Sequence, residues 1–328
     1  MEGQPMSKYC LTSNLGFFIE DFITQKNLLG FPYESSSRIL RKFDAFAQAG
    51  YPESKTLTRE MVLAWATLKK GEHPNGLLRR VTPIRQLGKF LIGIGQDAFI
   101  LPGHIPNRTI HYVPHIYKEE EIQAFFYSLE HHRHNWLDKT NQLVVPLYFW
   151  LLYCCGMRSS ETLFLHVDDV NLDTGSVFIR ETKGWESRTI FMDNDLRDAL
   201  CEYNSRIDKL IPQRMAFFPN KKGGFFRKGI QDVWFHIFWD YMGIDTGTQR
   251  PRVHDFRHSF AVKKLNQWVS EGKNLNALYP YLSEYMGHKH YADTDYYLHL
   301  VSEFYPEMEK RLLEIDANIL PEVCHEEE

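Results

Sequence analysis

Six residues whose types suit phosphate chemistry follow one another through the second half of this 328-residue chain. In chain order they are Arg158, Lys183, His254, Arg257, His288 and Tyr297. Arginine carries a permanent charge on a planar fork that can bond two oxygens, whereas lysine and histidine can give or take protons. Tyrosine supplies an oxygen nucleophile. Together these types suit cleavage of a phosphodiester, because cationic donors stabilise its negatively charged transition state.

The two arginines lie in motifs that are individually common. Arg158 follows Gly156 in a Gly-x-Arg sequence, and Arg257 follows His254 by three residues. Residues three apart share one face of a helix, so His254 and Arg257 are expected to point to the same side. An arginine taken alone is more often part of a surface ion pair. The ordered set of six residues therefore carries the interpretation.

The lysine and the tyrosine have competing interpretations. Lys183 is predicted at the tip of a β-hairpin, where a solvated lysine is the ordinary finding. Tyr297 comes nine residues after His288, but Tyr296 and Tyr291 are alternative nucleophiles. Adjacent residues on a helix point about 100° apart, so only one member of the pair 296–297 can face the arginines.

This ordered set resembles the tyrosine recombinase (phage integrase) family, over about residues 112–300. The sequence around Gly287 and Tyr297 is similar to that of recombinases encoded by transposons and integrative elements. The resemblance implies that Tyr297 is the nucleophile, since nine residues is the family's usual offset. It also implies that Arg158 and Arg257 clamp the phosphate and that Lys183 protonates the departing 5′ oxygen.

The same resemblance implies the rest of the mechanism. His254 and His288 would each donate to a phosphate oxygen, and His254 could also accept the tyrosine proton. The implied product is a 3′-phosphotyrosine, which the hydroxyl of a partner strand reverses. Double-stranded DNA, a homotetramer on paired sites and other recombinases of the same element are the implied partners. Two alternatives stay open: a DNA-relaxing enzyme of the type IB topoisomerase class, and a catalytically inert DNA-binding regulator of the same fold.

Neither a metal nor another cofactor is expected. The adjacent carboxylates Asp168 and Asp169 are predicted on a strand edge, where they would point to opposite faces, and no carboxylate cluster suggests magnesium. The five cysteines form no C-x-x-C pair, which favours reduced thiols in a cytoplasm. No apolar run is long enough to span a bilayer, so no membrane partner is expected. Of the fifteen histidines, His258, His290 and His299 are expected to be chance neighbours of the site.

The charge is unevenly distributed along the chain. The net charge is −4, but residues 1–113 hold 14 Lys and Arg against 9 Asp and Glu. A local basic face matters more for polyanion binding than total charge does. We expect phosphate contacts from the cationic residues of the fourth predicted helix, which are Arg79, Arg80, Arg85 and Lys89.

The predicted fold class is mainly α with a small antiparallel β-sheet. We expect an N-terminal extension (1–13), a helical core-binding domain (14–100), a linker (101–115), an α+β catalytic domain (116–301) and an acidic tail (302–328). The fourth helix is predicted over about residues 77–94 after a turn at 73–76, with Pro83 near its true start. In the tail, Met308, Leu312 and Ile315 form a narrow apolar stripe, which predicts a helix that docks on a neighbouring protomer.

Overall fold

The chain forms two compact units that divide between Tyr112 and Val113. The computed structural model describes residues 11–31, 33–104, 112–132, 138–180, 187–244 and 250–288, together with residues 290, 294 and 297. No helix within these described residues is both long enough and apolar enough to cross a bilayer. Lys183, Tyr291, Tyr296 and the tail lie outside them.

The described residues of the first unit form a bundle of four helices. They are α1 (Gly16–Leu28), α2 (Glu34–Gly50), α3 (Arg59–Trp65) and α4 (Pro74–Gly93). Thr58 caps the start of α3, because its Oγ1 accepts a hydrogen bond from the Met61 N–H at 3.2 Å. The four helices bury one apolar core, in which Phe22, Phe43 and Trp65 are the largest side chains.

Two details of α4 differ from the sequence-based expectation. The predicted turn at 73–76 is wrong, because α4 already begins at Pro74. Proline suits the first helical position, and the side chain of His73 caps the helix by accepting from the Asn75 N–H at 3.1 Å. Pro83 does not mark a helix start; it is buried inside α4, where burial outweighs the loss of one backbone hydrogen bond.

The second unit is mainly helical with a small sheet, as predicted. Its helices are α5 (Glu119–His131), α6 (Lys139–Cys155), α7 (Ser159–Leu163), α8 (Asn194–Leu210), α9 (Ile230–Met242), α10 (Asp255–Ser270) and α11 (Leu275–Met286). The strands β1 (Val170–Asn171), β2 (Ser176–Ile179) and β3 (Arg188–Phe191) form one antiparallel sheet in the order β1-β2-β3. Val177 pairs with Val170 on one side and with Ile190 on the other.

Aromatic packing fixes the helices that carry the site. Phe125 of α5, Phe149 of α6, Phe235 of α9 and Phe256 of α10 are completely buried against one another, with ring centroids between 5.1 and 6.4 Å apart. Such contacts stabilise beyond the area they bury. The start of α10 therefore packs against α6.

The expected strand position of the adjacent aspartates is wrong. Asp168 and Asp169 lie in a 3₁₀ turn, Val167–Asp169, that precedes β1. Asp169 is buried and accepts from Arg180 Nε at 2.7 and 3.0 Å. This carboxylate therefore has a structural ion pair that links the turn to the end of β2.

Candidate active site

Arg158 is positioned by the turn that joins α6 to α7. Gly156 ends α6 with a φ of 60°, a left-handed conformation that favours glycine. Arg158 is then the N-cap residue of α7, and its backbone N–H donates to Glu161 Oε2 at 2.9 Å. Its guanidinium donates to Glu161 Oε1 at 2.7 Å and to the Gly287 carbonyl at 2.6 Å. Arg158 therefore links the start of α7 to the end of α11.

Glu161 is the negative charge among the arginines of the site. Its side chain is buried, and Arg188 donates to Oε1 from Nη1 at 3.0 Å and to Oε2 from Nη2 at 2.8 Å. Burial would raise the pKa of this carboxyl, but the hydrogen bonds and charges of Arg188 and Arg158 outweigh burial and lower the pKa to about 2. Glu161 is therefore ionised at neutral pH and joins two arginines.

Arg257 and His254 come from the start of α10, as their spacing predicts. Arg257 is 2% exposed, and its Nη1 donates to the Gly156 carbonyl at 2.8 Å. Burial and the charge of Arg158 lower the pKa of Arg257 to about 10, while Tyr297 opposes the shift. The guanidinium therefore keeps its charge at neutral pH although it is buried.

The C-terminal end of α11 gathers three guanidinium groups. The last carbonyls of a helix lack partners within the helix and carry partial negative charge. Three consecutive carbonyls accept from three different elements: Tyr285 from Arg188 Nε at 2.8 Å, Met286 from Arg257 Nη2, and Gly287 from Arg158 Nη2 at 2.6 Å. This helix end therefore brings together arginines that lie up to 99 residues apart in the sequence.

His288 follows directly from this helix end. Gly287 is left-handed with a φ of 63°, and the His288 N–H donates back to the Ser283 carbonyl at 3.0 Å. The ring Nδ1 of His288 lies 2.7 Å from Thr294 Oγ1. Because Thr294 engages Nδ1, the Nε2 atom is the ring nitrogen that can face a ligand.

Tyr297 packs against two histidine rings. It is 2% exposed, with ring centroids 5.5 Å from His258 and 5.9 Å from His288, and it is nearly parallel to the His288 ring. The His258 ring lies 4.9 Å from that of His254, one helical turn earlier on α10. The structure therefore places Tyr297 in the same cluster as three histidines.

The three histidines are neutral at pH 7. Burial lowers the pKa of His254 to about 4, and the charges of Arg257 and Arg158 add to the shift. Burial likewise lowers the pKa of His258 and of His288 to about 3, with contributions from neighbouring arginines and histidines. Neutral imidazoles can accept a proton, and the arginines supply the positive charge of the cluster.

Five of the six candidate residues are brought together: Arg158, His254, Arg257, His288 and Tyr297. The sixth, Lys183, lies outside the described residues, between β2 and β3. Arg188 begins β3 and contacts the cluster, so the start of β3 lies at the site.

Sequence reasoning missed four residues of the cluster: Glu161, Arg188, His258 and Thr294. His258 was expected to be a chance neighbour, but its ring lies beside Tyr297. Its spacing of four residues from His254 is a signal for a shared helical face. Glu161 could have been found as the third residue of α7, where a carboxylate caps the helix start.

The four candidate DNA-binding residues of α4 fall into two pairs. Arg79 and Lys89 are exposed. Arg80 instead donates to Glu72 at 2.8 and 2.9 Å and lies 4.9 Å from the centre of the Trp65 ring. Arg85 donates to backbone carbonyls in the segment after α4, at 2.8 and 3.0 Å. These two guanidinium groups are therefore used within the unit.

A basic concave surface of the first unit lies beside α2 and α4, and we call it the α2–α4 groove. Its cationic lining residues are Arg38, Arg41, Lys42, Lys69, Arg79 and Arg80. The three residues from α2 are exposed and recur at helical spacing, a signal that the sequence contained. The groove therefore adds cationic residues to the two exposed ones of α4.

Comparison with known proteins identifies the family of this chain. The model of the phage integrase family matches residues 117–303. "Putative integrase/recombinase y4rB" of Sinorhizobium fredii is 29% identical over 301 residues, covering 90% of this chain and 95% of that protein. The tyrosine recombinase XerC of Halalkalibacterium halodurans is 26% identical, covering 83% of this chain and 86% of its own length.

A solved structure shares the fold. A lambda integrase tetramer bound to a Holliday junction matches with a TM-score of 0.60 at 13% identity, covering 90% of this chain and 81% of the lambda integrase chain. Because the family model spans more than half of the sequence, this chain belongs to the phage integrase family of tyrosine recombinases, which are DNA strand-transferring enzymes.

Proposed function

We propose that the chain is a site-specific DNA recombinase in which Tyr297 cleaves and rejoins DNA strands. One observation carries this proposal: the guanidinium groups of Arg158 and Arg257 bind adjacent carbonyls at the end of α11, beside the rings of His288 and Tyr297. Two fixed cations next to an oxygen nucleophile suit a phosphodiester, because they stabilise the charge that develops in the transition state.

The proposed reaction conserves the phosphodiester bond energy. The Tyr297 oxygen attacks phosphorus, a phosphotyrosine bond forms at the 3′ side, and the bond from phosphorus to the 5′ oxygen breaks. His254 accepts the phenolic proton, and Lys183 gives a proton to the departing 5′ oxygen. The 5′ hydroxyl of a partner strand then reverses these steps, so no external energy source is required.

The neutral state of the histidines lets His254 accept the phenolic proton, and phosphate binding would change the protonation of His288. Burial, with the charges of Arg257 and Arg158, holds the pKa of His288 at about 3. A phosphate bound to those arginines would offset their charge and raise this pKa, so that His288 becomes a better donor to a phosphate oxygen.

Covalent capture tests the proposal and identifies the recombination site in the same experiment. The full chain is incubated with sheared genomic DNA of its source, and protein–DNA adducts are isolated under denaturing conditions and sequenced. We expect one or a few sequences to be enriched. Tyr297→Phe should give no adduct and should bind the enriched duplex as wild type does, whereas Tyr296→Phe should form adducts. Adducts from Tyr297→Phe would refute the nucleophile assignment.

The alternatives give different outcomes in the same experiment. An inert regulator would give no adduct with any variant. A type IB topoisomerase would relax a supercoiled plasmid that lacks the enriched sequence, whereas the proposed recombinase requires that sequence. Recombination between two copies of the enriched site on one plasmid would support the proposed function directly.

For the first unit, we propose that the exposed cationic residues of the α2–α4 groove, together with Lys89, contact DNA phosphates. The support is the exposure of Arg38, Arg41, Lys42 and Arg79 on one concave surface. Substituting glutamine for Arg79 should weaken binding at all sequences and reduce the slope of log affinity against log salt by about one. Arg80→Gln should instead lower thermal stability, because Arg80 is bound to Glu72. An unchanged salt slope in Arg79→Gln would contradict this assignment.

We further propose that the protein acts as a tetramer on paired sites. The solved lambda integrase complex is a tetramer on a Holliday junction, and the fold similarity supports a comparable assembly here. The tail with Met308, Leu312 and Ile315 is proposed to dock on a neighbouring protomer. Deleting residues 303–328 should preserve covalent adduct formation at one site and abolish recombination between two sites. Full recombination by the truncated chain would exclude this role for the tail.

A further inference from the structure

Arg188 has the contacts of a buried support rather than of a substrate-binding residue. Its side chain is 10% exposed. Its two Nη atoms bind both oxygens of Glu161, and its Nε binds the Tyr285 carbonyl at 2.8 Å. A bidentate pair of this kind fixes both partners in orientation as well as in distance.

The local charge balance depends on this arginine. Glu161 also accepts from Arg158, through Oε1 at 2.7 Å. With only Arg158 as partner, one buried carboxylate would neutralise one guanidinium. With Arg188 present, the three side chains carry one net positive charge, and interactions between buried charges are strong because little water screens them.

We propose that Arg188 is a positioning residue, which neutralises Glu161 so that Arg158 keeps its charge and orientation for the scissile phosphate. The proposal rests on the proposed function. It concerns a residue that need not touch DNA itself and that acts through the carboxylate it shares with Arg158.

Gly287, which has no side chain, leaves the space that the Arg188 guanidinium occupies. A Cβ placed on Gly287 would lie 2.8 Å from Arg188 Nη1, so a larger residue there would displace the guanidinium. Arg188 is also the first residue of β3, immediately after the segment that carries Lys183. Its contact with the end of α11 therefore holds the start of β3 at the same helix end as Arg158.

The test uses the full chain and the duplex that wild type captures. Four variants are compared with wild type: Arg188→Gln, Arg188→Lys, the double variant Glu161→Gln/Arg188→Gln, and Arg214→Gln. Arg214 is a matched control, because it is also buried and binds a carboxylate and two backbone carbonyls, but its contacts include no residue of the site. Single-turnover adduct formation, duplex affinity and melting temperature are measured for each.

We expect Arg188→Gln to form adducts about a hundredfold more slowly than wild type, because Glu161, which already accepts from Arg158, would then have lost its second guanidinium and would neutralise the charge that Arg158 offers the phosphate. Duplex affinity should stay within about threefold, since the loss falls on the transition state. Arg188→Lys should remain slow, because lysine lacks the planar fork. The double variant should regain at least about tenfold over Arg188→Gln, since it removes the excess negative charge together with the arginine.

The rescue separates this role from a merely structural one. If Arg188 only stabilised the fold, Arg214→Gln would slow the reaction at an equal loss of melting temperature, and Glu161→Gln would restore nothing. Either result would overturn the proposal, as would near-wild-type adduct formation by Arg188→Gln. If Arg188→Gln does not fold, Arg188→Lys and the double variant decide by the same comparison. Failure of wild type to form any adduct would instead reject the proposed function.

Discussion

Gly156→Ala should damage both the stability and the chemistry of the second unit. The carbonyl of Gly156 holds Arg257 at 2.8 Å, and the residue has a φ of 60°. A Cβ at this position would lie 2.3 Å from Cδ1 of Phe260, closer than two non-bonded carbon atoms can approach. Phe260 is itself 5% exposed and stacked on Tyr285, so its ring has little room to move.

Two contributions set the expected magnitude. The left-handed conformation costs an alanine about 1–2 kcal/mol relative to glycine. Displacing the buried ring adds about 1–3 kcal/mol of overpacking. We therefore expect Gly156→Ala to lower the free energy of unfolding by about 2–5 kcal/mol, and each kcal/mol corresponds to a decrease of about 2–4 °C in melting temperature for a unit of this size.

Gly243→Ala is the matched control. Gly243 ends α9 with a φ of 65°, and a Cβ added there would meet no atom within 4 Å. It should show only the conformational cost of about 1–2 kcal/mol. The difference in unfolding free energy between the two variants, measured by calorimetry, is therefore the contribution of the clash with Phe260. In a Phe260→Leu background, which removes the ring, Gly156→Ala should cost less stability than it does in the wild-type background.

The chemical consequence is measured at a temperature where every variant is folded. We expect Gly156→Ala to slow adduct formation by at least about tenfold, because a small displacement of Arg257 misplaces its charge in the transition state. Gly243→Ala should react as wild type does. Equal melting temperatures for the two variants, with equal reaction rates, would refute the reasoning that Phe260 blocks a side chain at this turn.

Three further expectations follow from the site. Thr294→Val should slow adduct formation by about tenfold, whereas Thr294→Ser should not, because the hydroxyl fixes His288 through Nδ1 at 2.7 Å; equal rates would show that this hydrogen bond does not orient the ring. Burial and neighbouring charges lower the pKa of His254 to about 4 and of His258 to about 3. Both side chains have a pKa of about 6.5 in the unfolded chain, which therefore binds more protons than the folded chain below about pH 6.5. The stability that the neutral rings provide is lost as the pH falls from about 6.5 toward these lowered pKa values. At pH 5 each of the two histidines lowers the free energy of unfolding by about 2 kcal/mol. His258→Asn should therefore reduce the fall of melting temperature between pH 7 and pH 5. An unchanged slope of melting temperature against pH would show that His258 is not buried in its neutral form. EDTA should leave the rate of adduct formation unchanged, because the arginines supply the charge that a metal would supply; activity lost in EDTA and restored by magnesium would indicate a different mechanism.

The sequence alone determined the fold class and five of the clustered residues. The fourth helix was predicted over about residues 77–94, close to the observed α4 (Pro74–Gly93), because the spacing of apolar residues along the sequence indicates which helix face is buried. His254 and Arg257 were predicted to share a face because both belong to one helix. Tyr297 was preferred over its neighbour through a family offset rather than through local physics, and only the tertiary structure shows its ring beside His288.

Tertiary structure decided what residue order does not encode. Arg158, Arg188 and Arg257 converge on three carbonyls at the end of α11 that have no partner within the helix. Packing between elements that are distant in the sequence brings these arginines to that helix end. Tertiary packing also gives Arg79 and Arg80 different roles, because adjacent residues on a helix point in different directions. Arg80 lies beside Glu72 and Trp65, whereas Arg79 is exposed. The sequence shows four cationic residues on α4. In the fold, two of them donate hydrogen bonds within the unit, Arg80 to the Glu72 carboxylate and Arg85 to a backbone carbonyl, because polar groups that lose contact with water require partners.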